Sequence, residues 1–319
     1  MRRGRALAIR IGIGMSGWPF GDAGPQALWE WVDAAERADV DSIWLTDRVV
    51  ADRLNVEPVV ALSFIAARTE RMLVGTSVLA LPLRQPTVLA KEIATLDFLS
   101  GGRVLPAIGL GTEDEREYQA CGVERAGRAS RTDEMVEVMR MLWLGVPVSY
   151  RGRHFTLEDV VVHPRPVRPE LPPIWIGGRS GAALRRVARL GDGWLASQVT
   201  PEEVAAGRAS ISSLAEACGR KIDADHYGVI LTYCFADDRA EAERLAEPFQ
   251  IRGRRRTDVP PERLDALGPV EHTTALVDEF IEAGASKFVL RAACPPEMMA
   301  GQLQTLVDEV LPRYHSRQV

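Results

Sequence analysis

The chain has 319 residues, of which 46% are hydrophobic and 26% are charged. This composition is typical of a soluble globular protein and argues against a disordered, fibrous or membrane-spanning chain. The 39 basic and 44 acidic residues give a net charge of -5, which argues against nucleic-acid binding through a global positive field.

The N-terminal segment and the cysteines bear on the cellular compartment. Met1–Arg5 is basic, but the apolar run after it is interrupted by Arg10 and by glycines, so it is a poor signal peptide. No stretch approaches the roughly 18 apolar residues of a transmembrane helix. The four cysteines are far apart and form no metal-binding spacing, which is typical of free thiols in a reducing compartment. We therefore expect a cytoplasmic protein.

Short aliphatic runs alternate with segments of helical period along the whole chain. The first helical segment places Leu28, Trp31, Val32 and Ala35 on one face. Another begins with a predicted N-cap and capping box at 200–203. The runs that predict strands are residues 8–14, 42–46, 73–79, 103–109, 173–176, 193–196, 227–235 and 286–290.

Eight such units predict the fold class α/β, as a single (β/α)8 TIM barrel over residues 1–319. Two insertions are expected, near 146–170 and near 250–270. The first contains a hairpin at 146–162 with Arg151–Gly152 as its turn. The second contains Arg252–Arg256, which fits either a solvated loop or a contact with an anionic ligand tail at the barrel mouth.

Active sites of parallel barrels lie at the carboxyl ends of the strands, so residues just after each run are the candidates. Asp47 and Arg48 follow the second strand and are able to orient a polar ring or a substrate, or to form an ion pair with each other at the rim. The segment 75–79 offers small and hydroxylated residues against which a flat ligand could lie. Trp18, Phe20 and Trp44 are candidates for an apolar pocket, although core packing explains Trp44 equally well.

Two glycine-containing turns add candidate binding groups. Gly109–Thr112 follows the fourth strand, where free backbone amides suit an anion or a ring, or simply a well-capped turn. In 176–181, two glycines, Arg179 and Ser180 lead from a strand into a helix. That arrangement predicts a phosphate site, although it is neither a Walker A loop nor a dinucleotide fingerprint.

Conventional catalytic motifs are missing from the sequence. There is no HExxH and no GxSxG, and the five histidines have no metal-ligand spacing. The sequence thus predicts no metal centre, and a cofactor is expected to carry the chemistry of any enzyme built on this chain.

The motifs, taken in order, resemble the luciferase-like monooxygenase superfamily, especially the branch that depends on the deazaflavin coenzyme F420. The similar segments cover roughly residues 8–200. They include 35–36, 41–47, 73–79, 89–91, 95–97, 100–103, 109–111, 142–143, 150–152, 172–178 and 191–194, together with Arg131 and Glu134.

The resemblance implies a barrel that binds a flavin or deazaflavin at the carboxyl ends of its strands. It implies that Ser77 and Val78 flank a non-prolyl cis peptide and support the ring. The further cofactor contacts that it implies are made by Asp47, by Gly109, Gly111 and Thr112 at the ring or its side chain, and by Gly177, Gly178 and Arg179 at the phosphate.

The sequence departs from several relatives, including sugar-phosphate dehydrogenases, at one position. In those relatives a histidine that serves in acid–base chemistry follows the aspartate of the second-strand motif, whereas Arg48 follows Asp47 here. A guanidinium cannot accept a proton at neutral pH, so Arg48 is expected to bind an anionic substrate or ring carbonyls. Asp47 and Arg48 are the candidate catalytic residues.

Three functions fit the resemblance. The first is an F420-dependent oxidoreductase that transfers a hydride to or from a small organic substrate, and the second is a two-component monooxygenase that uses reduced FMN and O2. The third is a non-catalytic flavin-binding protein. An unrelated phosphate-binding barrel, such as an isomerase, fits less well because the glycine turn comes too early in the chain. A partner that reduces the flavin or F420 and a homodimer are expected by analogy.

Overall fold

The computed structural model describes residues 8–250 and 256–314. Its strands are β1 (Arg10–Met15), β2 (Ser42–Leu45), β3 (Leu73–Thr76), β4 (Leu79–Ala80), β5 (Val104–Leu105), β6 (Ala107–Gly109), β7 (Val148–Arg151), β8 (Thr156–Val160), β9 (Trp175–Gly177), β10 (Gly193–Ser197), β11 (Tyr227–Phe235), β12 (Ala266–Gly268) and β13 (Lys287–Ala292).

The strands are separated by helices. These are α1 (Pro25–Arg37), α2 (Pro58–Arg68), α3 (Pro86–Ser100), α4 (Glu115–Ala120), α5 (Arg128–Leu142), α6 (Gly181–Leu190), α7 (Pro201–Ala217), α8 (Arg239–Ala246), α9 (Val270–Glu282), α10 (Met299–Thr305) and α11 (Leu311–Tyr314). Short 3-10 turns cover Leu81–Leu83, Glu247–Phe249, Pro261–Arg263 and Pro296–Met298, and Leu306–Val310 is π-helical.

The parallel strands form a sheet that closes on itself, as predicted for a TIM barrel. Strand neighbours run in the order β4-β6-β9-β10-β11-β13-β1-β2-β3-β5. The two ends of this order meet, because β3 continues into β4 and β5 into β6 along the chain, and both pairs β3–β5 and β4–β6 are hydrogen-bonded in parallel. The α/β barrel expected from the sequence is therefore confirmed.

Large aromatic rings fill the barrel interior where glycines leave room. Trp44 and Trp175 belong to a buried cluster with Leu195, Ile230 and Val289 and others. A Cβ added to Gly75 would lie 2.5 Å from the Trp44 ring, and one added to Gly193 would lie 2.6 Å from the Trp175 ring. Trp44 is fully buried, so core packing explains this residue.

Each outer helix buries one apolar stripe against the strands. In α1 the buried residues include the four predicted from the sequence, Leu28, Trp31, Val32 and Ala35. Helix α7 begins with the predicted capping box, in which the Thr200 side chain accepts from the Glu203 amide and the Glu203 side chain accepts from the Thr200 amide. None of the helices in the described ranges is long and apolar enough to cross a membrane.

The structure refines three predicted elements. The third and fourth strands are each interrupted, by Ser77–Val78 and by Pro106 respectively. The antiparallel hairpin β7–β8 lies where it was predicted, with its turn after Arg151. The segment 250–270 was expected to be an irregular insertion, but residues 266–268 form β12, which pairs with the carboxyl end of β11.

Candidate functional site

A cavity of about 280 Å³ opens at the carboxyl ends of β1, β2 and β3. Its walls come from the loop after β1, the long loop after β2, the break between β3 and β4, and Phe249–Gln250. Arg53 Nη1 donates to the Pro248 carbonyl at 2.6 Å, which brings that last segment over the loop after β2. Trp18, Phe20 and Trp44 do not line this cavity.

Four of the ten predicted site residues line the cavity, and six do not. The lining residues are Asp47, Arg48, Ser77 and Val78. The other six are not among the lining residues: Gly109, Gly111, Thr112, Gly177, Gly178 and Arg179.

Asp47 is buried and both of its carboxylate oxygens are engaged. Arg84 forms an ion pair with it through Nη1 and donates from Nη2 to Oδ1 at 3.0 Å. The Ala80 amide donates to Oδ2 at 2.8 Å. Arg84 also pairs with Glu57 at 2.8 Å. These contacts connect the end of β2 to β4. Because Ala80 lies two residues after Val78, Asp47 helps to hold the backbone just after the Ser77–Val78 break.

Arg48 does not pair with Asp47, contrary to one of the two interpretations of this dipeptide. Its Nε lies 3.4 Å from Oε1 of Glu117 instead, and a third of its side chain is exposed. Its carbonyl accepts from Asn55 Nδ2 at 3.1 Å. Because Arg48 is always protonated, it places a fixed positive charge at the cavity wall.

Glu117 joins two loops of the site and was not singled out by the sequence. This carboxylate is only 1% exposed. It accepts from the Val49 amide at 3.1 Å and from the Thr112 hydroxyl at 2.6 Å. It thereby fixes the loop after β2 against the loop after β6. Its contacts span about 70 positions in the chain, which is why local sequence patterns do not reveal them.

The Ser77–Val78 peptide is cis, as the resemblance implies. Ser77 Oγ is buried and has no hydrogen-bond partner among the described residues. Val78 packs across the strand ends: a Cβ added to Gly109 would lie 2.7 Å from Val78 Cγ2, and one added to Gly177 would lie 3.2 Å from Val78 Cγ1. A side chain at position 109 would therefore force Val78 to move, and one at position 177 would crowd it.

Gly111 makes room for a buried tyrosine. It has φ +78°, and a Cβ at this position would lie 2.8 Å from the Tyr118 hydroxyl. That hydroxyl donates to the Leu110 carbonyl at 2.6 Å. Burial raises the pKa of Tyr118, although Arg128 beside it acts in the opposite direction. The turn is therefore a rigid, internally bonded wall of the site.

The predicted phosphate site is a helix start with exposed glycine backbone. Gly178 has φ +102°, and its carbonyl accepts from Trp194 Nε1 at 2.7 Å. Ser180 caps α6 by accepting from the Ala183 amide at 3.2 Å. Arg179 is exposed. The amides at the start of this ten-residue helix, together with its dipole, suit an anion.

The basic segment at 252–256 lies largely outside the described residues, which include Arg256 alone. Arg256 Nη1 donates to Glu203 at 2.7 Å and to the Gln198 carbonyl at 3.1 Å, and its Nη2 donates to Asp258 at 2.7 Å. The hydrogen bonds from Arg256 lower the pKa of the Asp258 carboxyl to about 2. Arg256 therefore links the loop that precedes β12 to the start of α7.

Arg291 is a buried cation near the end of β13 that the sequence analysis does not single out. Lys287, Val289 and Arg291 alternate on one face of this strand, and Val289 belongs to the interior cluster. Arg291 is buried and donates to Thr232 Oγ1 at 3.2 Å. The alternation of positions 287, 289 and 291 could have indicated it, because Arg291 directly follows the predicted strand end at residue 290.

One group of potential metal ligands occurs in the described part of the chain, far from this cavity. Asp223, Asp225 and His226 place ligand atoms within 4.8 Å of one another just before β11, at the amino ends of the strands. His226 Nδ1 is already 2.7 Å from the Asp192 carbonyl, and the two carboxylates are exposed. This group is a surface acidic cluster.

Comparison with known proteins identifies the family. The profile of the family described as luciferase-like monooxygenase matches residues 4–310. The chain belongs to the luciferase-like monooxygenase family. This result confirms the family expected from the sequence motifs.

Two relatives that match over more than four-fifths of their length have names that refer to F420. The chain is 28% identical over 298 residues to an F420-dependent glucose-6-phosphate dehydrogenase of Kineococcus radiotolerans, covering 89% of this chain and 84% of the relative. It is 26% identical to a protein of the same name from Amycolatopsis mediterranei, covering 94% and 90%.

A solved structure of an F420-dependent secondary alcohol dehydrogenase has a TM-score of 0.79 and 20% identity, covering 97% of this chain and 98% of that one. A monooxygenase from Streptomyces bottropensis has the same TM-score and identity, covering 96% and 100%. At this level of identity the two structures establish a shared luciferase-like fold.

Proposed function

We propose that this protein is an F420-dependent oxidoreductase that transfers a hydride between the deazaflavin and a small organic substrate. The observation that carries the proposal is the packing of Val78 against Gly177, which joins the cavity to the glycine-rich start of α6. The two relatives named F420-dependent, each similar over more than four-fifths of its length, favour this cofactor over FMN.

The residues present fit such a cofactor. Ser77 Oγ, buried and without a partner among residues 8–250 and 256–314, offers a hydrogen bond to a polar edge of the ring. Val78 offers an apolar surface for the ring face. The amides of Gly178, Arg179 and Ser180 would hold the phosphate at the dipole of α6. When bound, the deazaflavin supplies or accepts a hydride, and the protein positions the substrate against it.

A comparison of two cofactors tests the proposal. Apo-protein is titrated with F420 and, separately, with FMN, and binding is followed by quenching of cofactor fluorescence. We expect F420 to bind at least about tenfold more tightly, equivalent to about 1.4 kcal/mol. Tight binding of FMN without binding of F420 would replace the proposal with the two-component monooxygenase. Binding of F420 without turnover of any substrate would favour a non-catalytic role.

A matched pair of variants locates the phosphate site. Gly178→Ala places a side chain at φ +102°, where its Cβ would lie 2.9 Å from that of Ala183. The resulting shift of the backbone amides should weaken F420 binding by about tenfold. Gly219→Ala is the control, because Gly219 also has a positive φ but lies in a loop remote from the cavity with open space around it. Equal effects of the two substitutions would argue against a phosphate at α6.

We propose that the protein forms a homodimer through the outer faces of α2 and α3. These faces expose Val60, Phe64, Phe98 and Leu99, with Phe64 62% and Leu99 76% exposed. Helices that are apolar on their outer face as well as their inner face are typically buried in an assembly. The same surface carries both charge signs at Lys91 and Glu92, so two copies can face each other about a two-fold axis.

Sedimentation analysis tests the dimer. Leu99→Lys should shift the protein from dimer to monomer at micromolar concentration, whereas Ala206→Lys, at an exposed position of α7 away from these helices, should not. In the cell, the proposed function needs a small-molecule substrate and a second F420-dependent enzyme or reductase that restores the cofactor. We place these reactions in the cytoplasm.

A further inference from the structure

We propose that the substrate is an α,β-unsaturated carbonyl compound that is reduced at its β-carbon, while Arg48 stabilises the negative charge that develops on the carbonyl oxygen. This inference rests on the proposed hydride chemistry and goes beyond it, because it names the substrate class and the direction of the reaction.

Arg48 is held at one nitrogen and is available at the other two. Its Nε pairs with buried Glu117 at 3.4 Å. Its Nη1 and Nη2 make no hydrogen bond to any residue in the described ranges, and the side chain lines the cavity. A guanidinium fixed in this way presents two parallel N–H donors to an oxygen in the cavity. Glu117 is a positioning residue, since it acts on the substrate only through Arg48.

Among the described residues, no side chain lining the cavity is placed to exchange a proton with the substrate. Asp47 is engaged at both oxygens by Arg84 and the Ala80 amide. Asp52 is 85% exposed and lies 3.7 Å from Arg116. The cavity has no histidine among its described lining residues. Oxidation of an alcohol needs a base for its hydroxyl proton, and reduction of a saturated ketone forms an alkoxide, which is far more basic than the enolate formed from a conjugated carbonyl compound. The pair of an alcohol and its ketone therefore depends more strongly on a side-chain proton carrier and fits this site poorly in either direction.

A conjugated carbonyl compound removes that requirement. The hydride forms a C–H bond at the β-carbon, and the C=C π electrons shift to give an enolate whose oxygen lies at Arg48. Water then protonates the α-carbon. The reduced deazaflavin is the reductant, and the proton released on its oxidation neutralises the hydroxide. An iminium acceptor would need no proton either, but its positive charge would face the guanidinium of Arg48.

The lining of the cavity agrees with a small, mainly apolar molecule that carries one oxygen. Leu54 and Phe249 contribute apolar surface, and the volume of the whole cavity, which the substrate would share with the ring, is about 280 Å³. Preorganised donors aimed at a developing oxyanion commonly contribute a factor of about 100 to 1,000 in rate. Arg48 is placed to make that contribution.

The first test needs neither cofactor nor turnover. 4-Nitrophenol, whose anion absorbs visible light, is titrated with pH in the presence of saturating apo-protein. A nearby guanidinium should raise the ionisation constant of the bound phenol about tenfold or more in the wild type compared with Arg48→Met. Arg116→Met, at the neighbouring exposed arginine outside the cavity lining, is the control and should match the wild type. Equal ionisation in Arg48→Met and the wild type, or no binding of the phenol, would overturn the inference.

The second test uses reduced F420 with cyclohex-2-enone and with cyclohexanone. We expect cyclohexanone as the product from the enone and no cyclohexanol from either compound. Arg48→Met should lower kcat about 100-fold or more. Arg48→Lys keeps the positive charge but loses the paired N–H donors of the guanidinium, so it should retain part of the wild-type kcat. Far-UV circular dichroism and the F420 titration show that each variant is folded and loaded.

These outcomes separate the two proposals. Failure of F420 to bind the wild type contradicts the proposed function itself. Normal binding of F420 with reduction of the saturated ketone, or with no reduction of the enone, leaves the proposed function intact and overturns the assignment of the substrate class.

Discussion

The two ends of the barrel differ in how completely one of their cations is paired. At the amino end, Lys287 is 3% exposed and forms an ion pair with Asp41, which also accepts from Ser42 Oγ at 2.7 Å. The Lys287 ammonium lies 5.6 Å from the centre of the Trp44 ring. At the carboxyl end, Arg48 has only one of its three nitrogens paired within the described chain. The Lys287 ammonium is thus paired within the protein, whereas Arg48 keeps two nitrogens available to a ligand.

An unpartnered hydroxyl alone does not mark a binding site. Ser286 Oγ and Trp175 Nε1 are also buried without partners in the described residues, and both lie toward the amino end. Ser77 Oγ differs because it lines a cavity whose wall also holds Arg48. The comparison therefore teaches that a candidate site is recognised by donors and empty volume together. Breaking the amino-end pair should cost mainly stability, whereas changing Arg48 or its partner should cost mainly activity.

The largest expected effect is the loss of stability when the amino-end pair is broken. Asp41→Ala leaves Lys287 buried beside a smaller side chain, and removing one partner of a buried pair typically costs about 3–5 kcal/mol. Denaturant unfolding measures this free energy. The double variant Asp41→Leu/Lys287→Met should recover most of it. A loss below about 1 kcal/mol for Asp41→Ala would contradict the role assigned to the pair.

The same pair predicts an acid limit to stability. Burial opposes ionisation of Asp41, but Lys287 and the hydrogen bonds it receives from Lys287 and Ser42 hold its pKa below the ordinary value of 3.8. A lowered folded-state pKa contributes stability that is present above 3.8 and is lost as pH falls through the folded value. Unfolding free energies measured from pH 5 downward should therefore fall more steeply in the wild type than in the double variant. Parallel curves would contradict this assignment.

The next effect concerns the packing of Val78. Gly109→Ala would place a Cβ 2.7 Å from Val78 Cγ2, and overpacking of this kind costs about 1–3 kcal/mol. It should also weaken F420 binding, because Val78 would have to move. Val78→Ala in the same background should restore stability. If Gly109→Ala is neutral for both stability and F420 affinity, the glycine has another role.

A smaller effect is expected when Glu117 loses its charge. Glu117→Gln keeps the size of the side chain but removes the ion pair to Arg48, so kcat/KM for the enone should fall by about tenfold through misplacement of the guanidinium. The control Glu115→Gln changes an exposed carboxylate two positions away and should leave kcat/KM unchanged. The ionisation of bound 4-nitrophenol should shift in the same direction as kcat/KM, which a purely structural role would not produce.

The smallest effect is expected at Asp52. This residue lines the cavity but is 85% exposed, so Asp52→Asn should change kcat/KM by less than about twofold across pH 6–9. Steady-state rates over this range measure it. A large loss in Asp52→Asn, or a bell-shaped wild-type profile that the variant abolishes, would mean that the site contains a proton acceptor.

The sequence was sufficient to predict the fold because strands and helices are local periodic patterns. The eight predicted runs correspond to the barrel strands, and the sequence pattern predicts the four core residues of α1 correctly. β12 was missed because its three residues are too short to show a period.

The site was predictable only where its residues follow a strand directly. Asp47, Arg48, Ser77 and Val78 line the cavity as the strand ends indicated. The partners that decide what these residues can do are remote in the chain: Arg84 lies 37 positions from Asp47, and Val49 lies 68 from Glu117. Which predicted ion pair forms depends on tertiary contacts, so the sequence could not distinguish an Asp47–Arg48 pair from the two separate pairs in the structure.

The most direct test of the central claim is a crystal structure of the protein with F420. We predict density for the cofactor phosphate within hydrogen-bond distance of the amides of residues 178–180, and for the ring against Ser77 and Val78 with a polar atom at Ser77 Oγ. A phosphate bound elsewhere, such as at Arg291, or a ring outside the cavity at the ends of β1–β3, would contradict the account.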